Sequence, residues 1–224
     1  MMIKVTIDDK KIEVKENTTV LDAARKLGIY IPTLCYHSII KPYGSCRLCL
    51  VEAVENDRKQ LVASCIHPVT EGLKVFTNNE EVRKTRKMTL ELLLARCSNS
   101  ERLGKLASQF GVRKPRFESR DDDCILCGLC VRACEEIVGI GAIGFAHRGE
   151  KKAIGPPFER AASICIGCGT CAYVCPTGAI KVTEIADTPT QHYWESPFKR
   201  VKCRICGDYN LETAYDSDLL KHND

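Results

Sequence analysis

Cys124-x2-Cys127-x2-Cys130-x3-Cys134 and Cys165-x2-Cys168-x2-Cys171-x3-Cys175-Pro176 are two copies of one run. Three thiolates on a tight loop can reach three corners of an iron–sulfur cube. A fourth, already entering a helix, points away toward a neighbouring cube. That is the spacing of a pair of [4Fe–4S] clusters in which each run lends its last cysteine to the other site. Cys124, Cys127, Cys130 and Cys175 are therefore assigned to the first cluster, and Cys134, Cys165, Cys168 and Cys171 to the second. Zinc sites instead use cysteine pairs a dozen or more residues apart. Disulfides need an oxidising compartment, of which the sequence carries no sign.

The elements that must position these loops read as two echoing halves. Gly141-Ala142-Ile143 follows the first run and Gly178-Ala179-Ile180 the second, each suggesting a short strand after a short helix. Gly128, Gly167 and Gly169 allow the loops to curl so that backbone amides face sulfur. At the amino terminus, Ile3, Val5 and Ile7 alternate with polar residues, as do Ile12 and Val14. With Asp8-Asp9-Lys10 between them these two runs predict a β-hairpin. Thr19 with Asp22 predicts the cap of a helix from Val20 to Leu27, stopped at Gly28.

A second cysteine set follows that helix: Cys35-x10-Cys46-x2-Cys49-x15-Cys65. The plant-type [2Fe–2S] spacing has four residues in its first gap, so this is a variant with a longer loop. Gly44 suits a backbone that approaches the cluster closely. Leu48, Leu50 and Val51, then Leu61, Val62 and Ala63, predict strands that carry the later cysteines into a core. Cys35-Tyr36-His37 and Cys65-Ile66-His67 raise the Rieske alternative, but a Rieske centre needs two histidines on one iron, and the central pair here is Cys46-x2-Cys49. Both histidines are read as surface residues or as neighbours of the ligands. A four-cysteine zinc site is the other rival.

The segment IPTLCYHSIIKPYGSCRLCLVEAVENDRKQLVASCIHPV resembles the [2Fe–2S] domain that opens the large iron–sulfur subunit of respiratory complex I. It is similar also to the iron–sulfur diaphorase subunit of NAD(P)-linked hydrogenases, some of them electron-bifurcating, and to the amino-terminal part of multimeric [FeFe] hydrogenases. The stretch CILCGLCVRACEEIVGIGAIGFAHRG carries the same resemblance, which covers residues 1 to about 185. It implies an α+β chain: a β-grasp [2Fe–2S] domain over residues 1–78, a helical connector over 79–115, a ferredoxin-like domain with two [4Fe–4S] clusters over 116–185, and a tail over 186–224. It further implies a flavin (FMN) and NAD(P)-binding diaphorase partner, a small [2Fe–2S] partner, and a catalytic partner, a hydrogenase foremost. Ferredoxin enters as a partner if the complex bifurcates electrons. A formate dehydrogenase or a ferredoxin:NAD(P) oxidoreductase complex is the alternative setting.

Between the cluster modules, Asn78-Asn79-Glu80-Glu81 predicts the start of a helix through Val82, Met88, Leu90, Leu93 and Leu94. Ser98 with Glu101 reads as a capping box for a second helix, closed at Gly111. The resembled family usually carries a further His-x3-Cys-x2-Cys-x5-Cys cluster here. This chain has only Cys97 before Cys124, so that cluster is expected to be absent and Cys97 to behave as a small buried hydrophobe. In the tail, Cys203-x2-Cys206-Gly207 lies between His192 and His222, close to Trp194. A zinc knuckle, an additional cluster completed by Cys97 or a partner chain, and a reduced thiol pair all remain open there.

The chain has 224 residues, of which 44% are hydrophobic and 28% charged, ordinary values for a globular protein. Its 15 cysteines are not ordinary, and their CxxC grouping points to metal in a reducing cytoplasm. The start carries no basic and apolar leader pattern, and no run of about 18 apolar residues occurs, so neither a secretory signal nor a membrane span is expected. The formal charge of +4 does not argue for nucleic acid. Three clusters at about −2 each, thiolates included, bring the loaded chain to about −2. No G-x-G-x-x-G fingerprint, Walker loop or acid/base pair is present, so no substrate site is expected on this chain. The function expected is electron relay within an NAD(P)-linked oxidoreductase complex. An [FeFe] hydrogenase in its own right would need a large domain after the second cluster run, and a freely diffusing multicluster ferredoxin is the remaining alternative.

Overall fold

A computed structural model describes residues 1–120, 122–159, 165, 167–183, 190–192 and 197–198. The chain divides into two compact units, one of residues 1–36 and 42–127, the other of residues 37–41 and 128–224.

The first unit is built on a five-stranded sheet. β1 (Met2–Ile7) and β2 (Lys10–Lys15) form the anticipated hairpin, pairing from Met2↔Lys15 to Ile7↔Lys10. Asp8 (φ 45°) and Asp9 (φ 66°) alone make the turn. Two positive-φ residues are what a two-residue hairpin turn needs to match strand twist, and Lys10 consequently belongs to β2 and not to the turn. α1 (Val20–Lys26) follows. The Thr19 hydroxyl accepts from the Asp22 amide at 3.1 Å and donates to the Asp22 carboxylate at 2.8 Å, so the predicted cap is reciprocal.

β3 (Leu50–Glu55) and β4 (Arg58–Ala63) form a second hairpin across the positive-φ residues Asn56 and Asp57. β5 (Lys74–Phe76) lies between the hairpins, parallel to β1 and antiparallel to β3, which gives the order β2-β1-β5-β3-β4. One helix packed on such a sheet is the β-grasp. Val5, Ile7 and Val14 from the first hairpin meet Val20, Leu21 and Ala24 of α1 in a single core, and Cys49 and Cys65 belong to it.

α2 (Glu80–Arg96) starts at Asn79, whose side chain accepts from the Val82 amide at 2.9 Å, and it packs against β3. α3 (Glu101–Gln109) packs back on α2. Its cap is Ser100, which accepts from the Leu103 amide at 3.4 Å, and not Ser98. Cys97 still terminates α2, so the turn between the helices uses Ser98 and Asn99 and the new helix begins after them. Glu101 then occupies the first helical position and pairs with Lys105 at 2.7 Å.

In the second unit, α4 (Leu129–Arg132) begins at Gly128 and α5 (Thr170–Tyr173) at Gly169, both glycines left-handed with φ near 70°. A Cβ on Gly128 would come within 2.8 Å of the Phe145 ring. α4 runs straight into a π-helical turn, Ala133–Ile137, that carries Cys134. β6 (Gly144–Ala146) pairs with β7 (Ala153–Gly155). The two Gly-Ala-Ile segments precede β6 and β8 (Val182–Thr183) and are not strands themselves. Ala142, Ile143 and Ile180 are buried there. β8, β9 (Thr190–His192) and β10 (Pro197–Phe198) form a small antiparallel sheet. Trp194, Cys203, Cys206 and His222 lie outside the described residues.

Candidate cluster-binding sites

Sheet register brings the first cysteine pair together. Leu50 pairs with Ala63, so the residues just outside the hairpin, Cys49 on one side and Ser64-Cys65 on the other, meet at its open end. Ser64 fastens them: its amide (3.2 Å) and its hydroxyl (2.8 Å) both donate to the Cys49 carbonyl. The first-turn amides of α1 hold the same segment, Leu21 donating to the Ser64 carbonyl and Val20 to that of His67. Cys35 and Cys46 come instead from the loop between α1 and β3. Their closeness rests on the Cys46 amide, which donates to the Cys35 sulfur at 3.3 Å.

The four predicted ligands Cys35, Cys46, Cys49 and Cys65 are all buried. They form two hydrogen-bonded pairs. Cys46 donates to the Cys35 sulfur and, despite burial, holds the Cys35 thiol down at about 6. Cys65 does the same for Cys49, also to about 6. The donors are correspondingly pushed up, Cys46 and Cys65 first by those same hydrogen bonds and then by burial. Further amides face sulfur, from Ser45 toward Cys35 and from Leu34 and Leu48 toward Cys46. Two sulfur pairs in an apolar, amide-lined pocket match two irons with two thiolates each, so the donor set fits a [2Fe–2S] cluster. Gly44 (φ 70°) packs against Ile66, whose Cδ1 would lie 2.8 Å from an added Cβ. His37 is shifted down by burial, and its Nδ1 accepts a long 3.5 Å bond from the Ile39 amide.

In the second unit, Cys134, Cys165, Cys168 and Cys171 line one pocket together with Val138, Ile140, Ala142 and Ile143. These are the four cysteines assigned to the second [4Fe–4S] cluster. The Ala142 amide donates to the Cys134 sulfur at 3.3 Å, and the Thr170 hydroxyl lies 3.3 Å from the Cys168 sulfur. Burial raises the Cys165 thiol, against a hydrogen bond from the Gly167 amide. Among the described residues no three His, Cys, Asp or Glu side chains close on a single ion. Four thiols lining one pocket are a donor set that fits a [4Fe–4S] cluster.

The remaining set is divided, Cys124 and Cys127 in the first unit, Cys130 and Cys175 in the second. The Cys124 sulfur accepts from the Leu126 amide at 3.3 Å, and Cys127, Cys130 and Cys175 are buried. Leu126 (φ 53°) takes the left-handed conformation that Gly167 (φ 65°) takes at the matching position of the second run.

Several contributors leave little mark in the sequence. Arg96 donates to the Cys124 carbonyl at 2.9 Å and pairs with Asp122 at 3.0 Å, while the fully buried Cys97 thiol donates to the Asp123 carbonyl at 3.1 Å. Cys97 is thus a tether to the segment that leads into Cys124 as well as a buried small residue. Arg86 is buried on α2 and donates to the Leu50 carbonyl at 2.9 Å.

A β-grasp fold with buried cysteine pairs, joined to a second cysteine-lined module, defines an iron–sulfur electron-transfer protein. Residues 1–80 match the 2Fe-2S iron-sulfur cluster binding domain family and residues 123–179 the 4Fe-4S dicluster domain family. Over 206 residues the chain is 38% identical to an NADH-quinone oxidoreductase subunit of Rhizobium meliloti (strain 1021), covering 80% of this chain and 24% of that protein. It is 37% identical over 211 residues to NADP-reducing hydrogenase subunit HndD of Solidesulfovibrio fructosivorans, covering 80% of this chain and 36% of that one. The crystal structure of an NAD+-reducing [NiFe]-hydrogenase in its H2-reduced state contains a chain 34% identical, with a TM-score of 0.60 over 69% of this chain and 75% of that chain. The chain belongs to the family of iron–sulfur electron-transfer subunits shared by NAD(P)-linked hydrogenases and complex I-type oxidoreductases. It spans only 24% and 36% of the length of the two curated relatives named. No helix among the described residues is long and apolar enough to cross a membrane.

Proposed function

We propose that this chain relays single electrons between a flavin-bearing, NAD(P)H-oxidising partner and a catalytic partner, a hydrogenase, in the cytoplasm. Bound clusters supply the one-electron redox chemistry. The chain's own residues hold them, shield them from water and set their potentials through amide hydrogen bonds and local charge. The ligands are Cys35, Cys46, Cys49 and Cys65 for [2Fe–2S]; Cys124, Cys127, Cys130 and Cys175 for one [4Fe–4S]; and Cys134, Cys165, Cys168 and Cys171 for the other. Residues 1–78, 79–115, 116–185 and 186–224 serve respectively as the [2Fe–2S] domain, the connector, the dicluster domain and a C-terminal tail. The tail carries Cys203 and Cys206 as a further site, for zinc or for an added cluster. A small [2Fe–2S] protein completes the input side, and ferredoxin joins if the assembly bifurcates electrons.

The observation that carries this reading is the presence on one chain of two sets of cysteines, one in each unit, whose sulfurs accept hydrogen bonds from backbone amides. The hydrogenase as partner is favoured by the likeness to both HndD and the [NiFe]-hydrogenase chain. Two measurements test it. EPR of the reduced chain should give one [2Fe–2S] signal and two interacting [4Fe–4S] signals, and Cys46→Ser should remove only the first. Affinity purification from the native cell should bring down a flavoprotein and a hydrogenase subunit. Recovery of the chain alone, or zinc in place of iron, overturns the proposal.

A further inference from the structure

Helix α2 presents Val82, Leu90 and Leu94 to the protein interior, and Arg86 sits in the same stripe. Only 3% of Arg86 is exposed. One Nη2 hydrogen bond, 2.9 Å to the Leu50 carbonyl, fixes the guanidinium to the residue that follows Cys49. Its Nε has no hydrogen-bond partner. A buried guanidinium without a carboxylate is costly, because charge taken from water must be repaid by an opposite charge or by full hydrogen bonding. Among the described residues no carboxylate forms an ion pair with it. Asp8, the one carboxylate among the charges named as acting on it, is already bonded to the amide and hydroxyl of Thr77. Burial lowers the guanidinium to about 10, and the anion that most opposes this is the Cys49 thiolate, ahead of Tyr30 and Asp8.

We propose that Arg86 is the built-in counter-charge of the [2Fe–2S] site, a positioning residue that raises its reduction potential. This rests on the assignment of Cys49 as a ligand. With four thiolates bound, the site carries net negative charge, and one electron taken from a reductant adds one more while no bond breaks. A fixed cation in a low-dielectric surrounding favours the more negative, reduced form. The same field answers the otherwise unmet charge on α2. Arg86 thus joins the helix to the redox centre electrostatically as well as through the Leu50 carbonyl.

The test is a dithionite redox titration of the full-length, cluster-loaded chain, read from the [2Fe–2S] EPR signal in wild type, Arg86→Met, Arg86→Gln and Arg86→Lys. Loss of the charge is expected to shift the reduction equilibrium about tenfold toward the oxidised form, about 59 mV lower for one electron. Arg86→Lys should stay with wild type. Neutral variants that load the cluster and keep the wild-type midpoint overturn the inference. If the neutral variants do not load, Arg86→Lys decides. Loading with a wild-type midpoint supports the counter-charge, whereas failure to load, or a lowered midpoint, shows that guanidinium geometry and not charge is what matters. A wild-type chain without any [2Fe–2S] signal sinks the ligand assignment itself, a distinguishable result.

Discussion

Removing the Arg96 side chain should loosen the first cluster loop without unfolding the sheet. Arg96→Met keeps most of the aliphatic stem but deletes two attachments, the 2.9 Å bond to the Cys124 carbonyl and the 3.0 Å pair with Asp122. A hydrogen bond from a charged donor contributes roughly 1.5–3 kcal/mol. The Asp122 pair is partly exposed, 22% for Arg96 and 46% for Asp122, so it adds only about 0.2–1 kcal/mol. A loss of about 2 kcal/mol raises the opening equilibrium of residues 122–124 roughly thirty-fold, since about 1.4 kcal/mol is a decade. Cluster loss into an excess of chelator, followed by visible absorption and EPR, should speed up by a comparable factor for [4Fe–4S] while the [2Fe–2S] signal decays at its wild-type rate. Cys97→Ala, which removes the bond to the Asp123 carbonyl, should act in the same direction, and less than additively with Arg96→Met because both hold one short segment. Wild-type decay of the [4Fe–4S] signals would refute the tether. Equal acceleration of all signals would mean that α2 stabilises the whole unit and has no local role.

Thr19→Ala should destabilise the first unit by about 1 kcal/mol in a urea titration, the usual value of a side-chain cap; an unchanged midpoint would show that the Asp22 carboxylate alone suffices there. The Tyr36 hydroxyl donates to Asp22 at 2.8 Å, and burial first, then that bond, pushes its ionisation up to about 12. Its folded value exceeds the ordinary tyrosine value of about 10, so the associated stability is complete below pH 10 and disappears as the pH climbs through 12. Tyrosinate absorbance should show a late-ionising phase that Tyr36→Phe abolishes; a wild-type titration unchanged by Tyr36→Phe would contradict the burial. Leu126→Gly should cost no more than about 1 kcal/mol, because relief of left-handed strain offsets added chain entropy, whereas Gly167→Ala at the matching position should cost about 1–2 kcal/mol. Thermal bleaching of the [4Fe–4S] absorption compares the two, and equal tolerance at both positions would argue against a shared loop conformation.

Much of this was legible because the signals are local. A cysteine run states its own geometry, and the first hairpin and α1 announce themselves through alternation, an acidic turn and a threonine cap. What escaped depended on partners distant in sequence. β5 is only three residues long, Lys74–Phe76, and becomes a strand because β1 and β3 leave a slot between them. Ser98 and Ser100 are equivalent as candidate caps until the end of α2 at Cys97 fixes where the next helix can begin. Arg86 did leave a trace. It occupies a position four residues from both Val82 and Leu90, inside an otherwise apolar stripe, and a charge there asks for a buried anion.

The two halves of the proposed [2Fe–2S] cradle are held by different means, and this bears on what the domain does. Cys49 and Cys65 are fixed by strand register, by Ser64 and by the start of α1, all of it part of the core. Cys35 and Cys46 lie on a loop with little regular structure, where the amide and the thiol of Cys46 both donate to the Cys35 sulfur. One pair is therefore anchored in the core, and the other by the contacts of its own loop. In each pair one thiol is already held near 6 by a proton that its partner retains. Once closed, the cradle presents its charge to fixed amides and to the Arg86 stripe of α2 in place of mobile water. Little then has to rearrange when an electron arrives or leaves, and that economy is the physical requirement for a fast carrier.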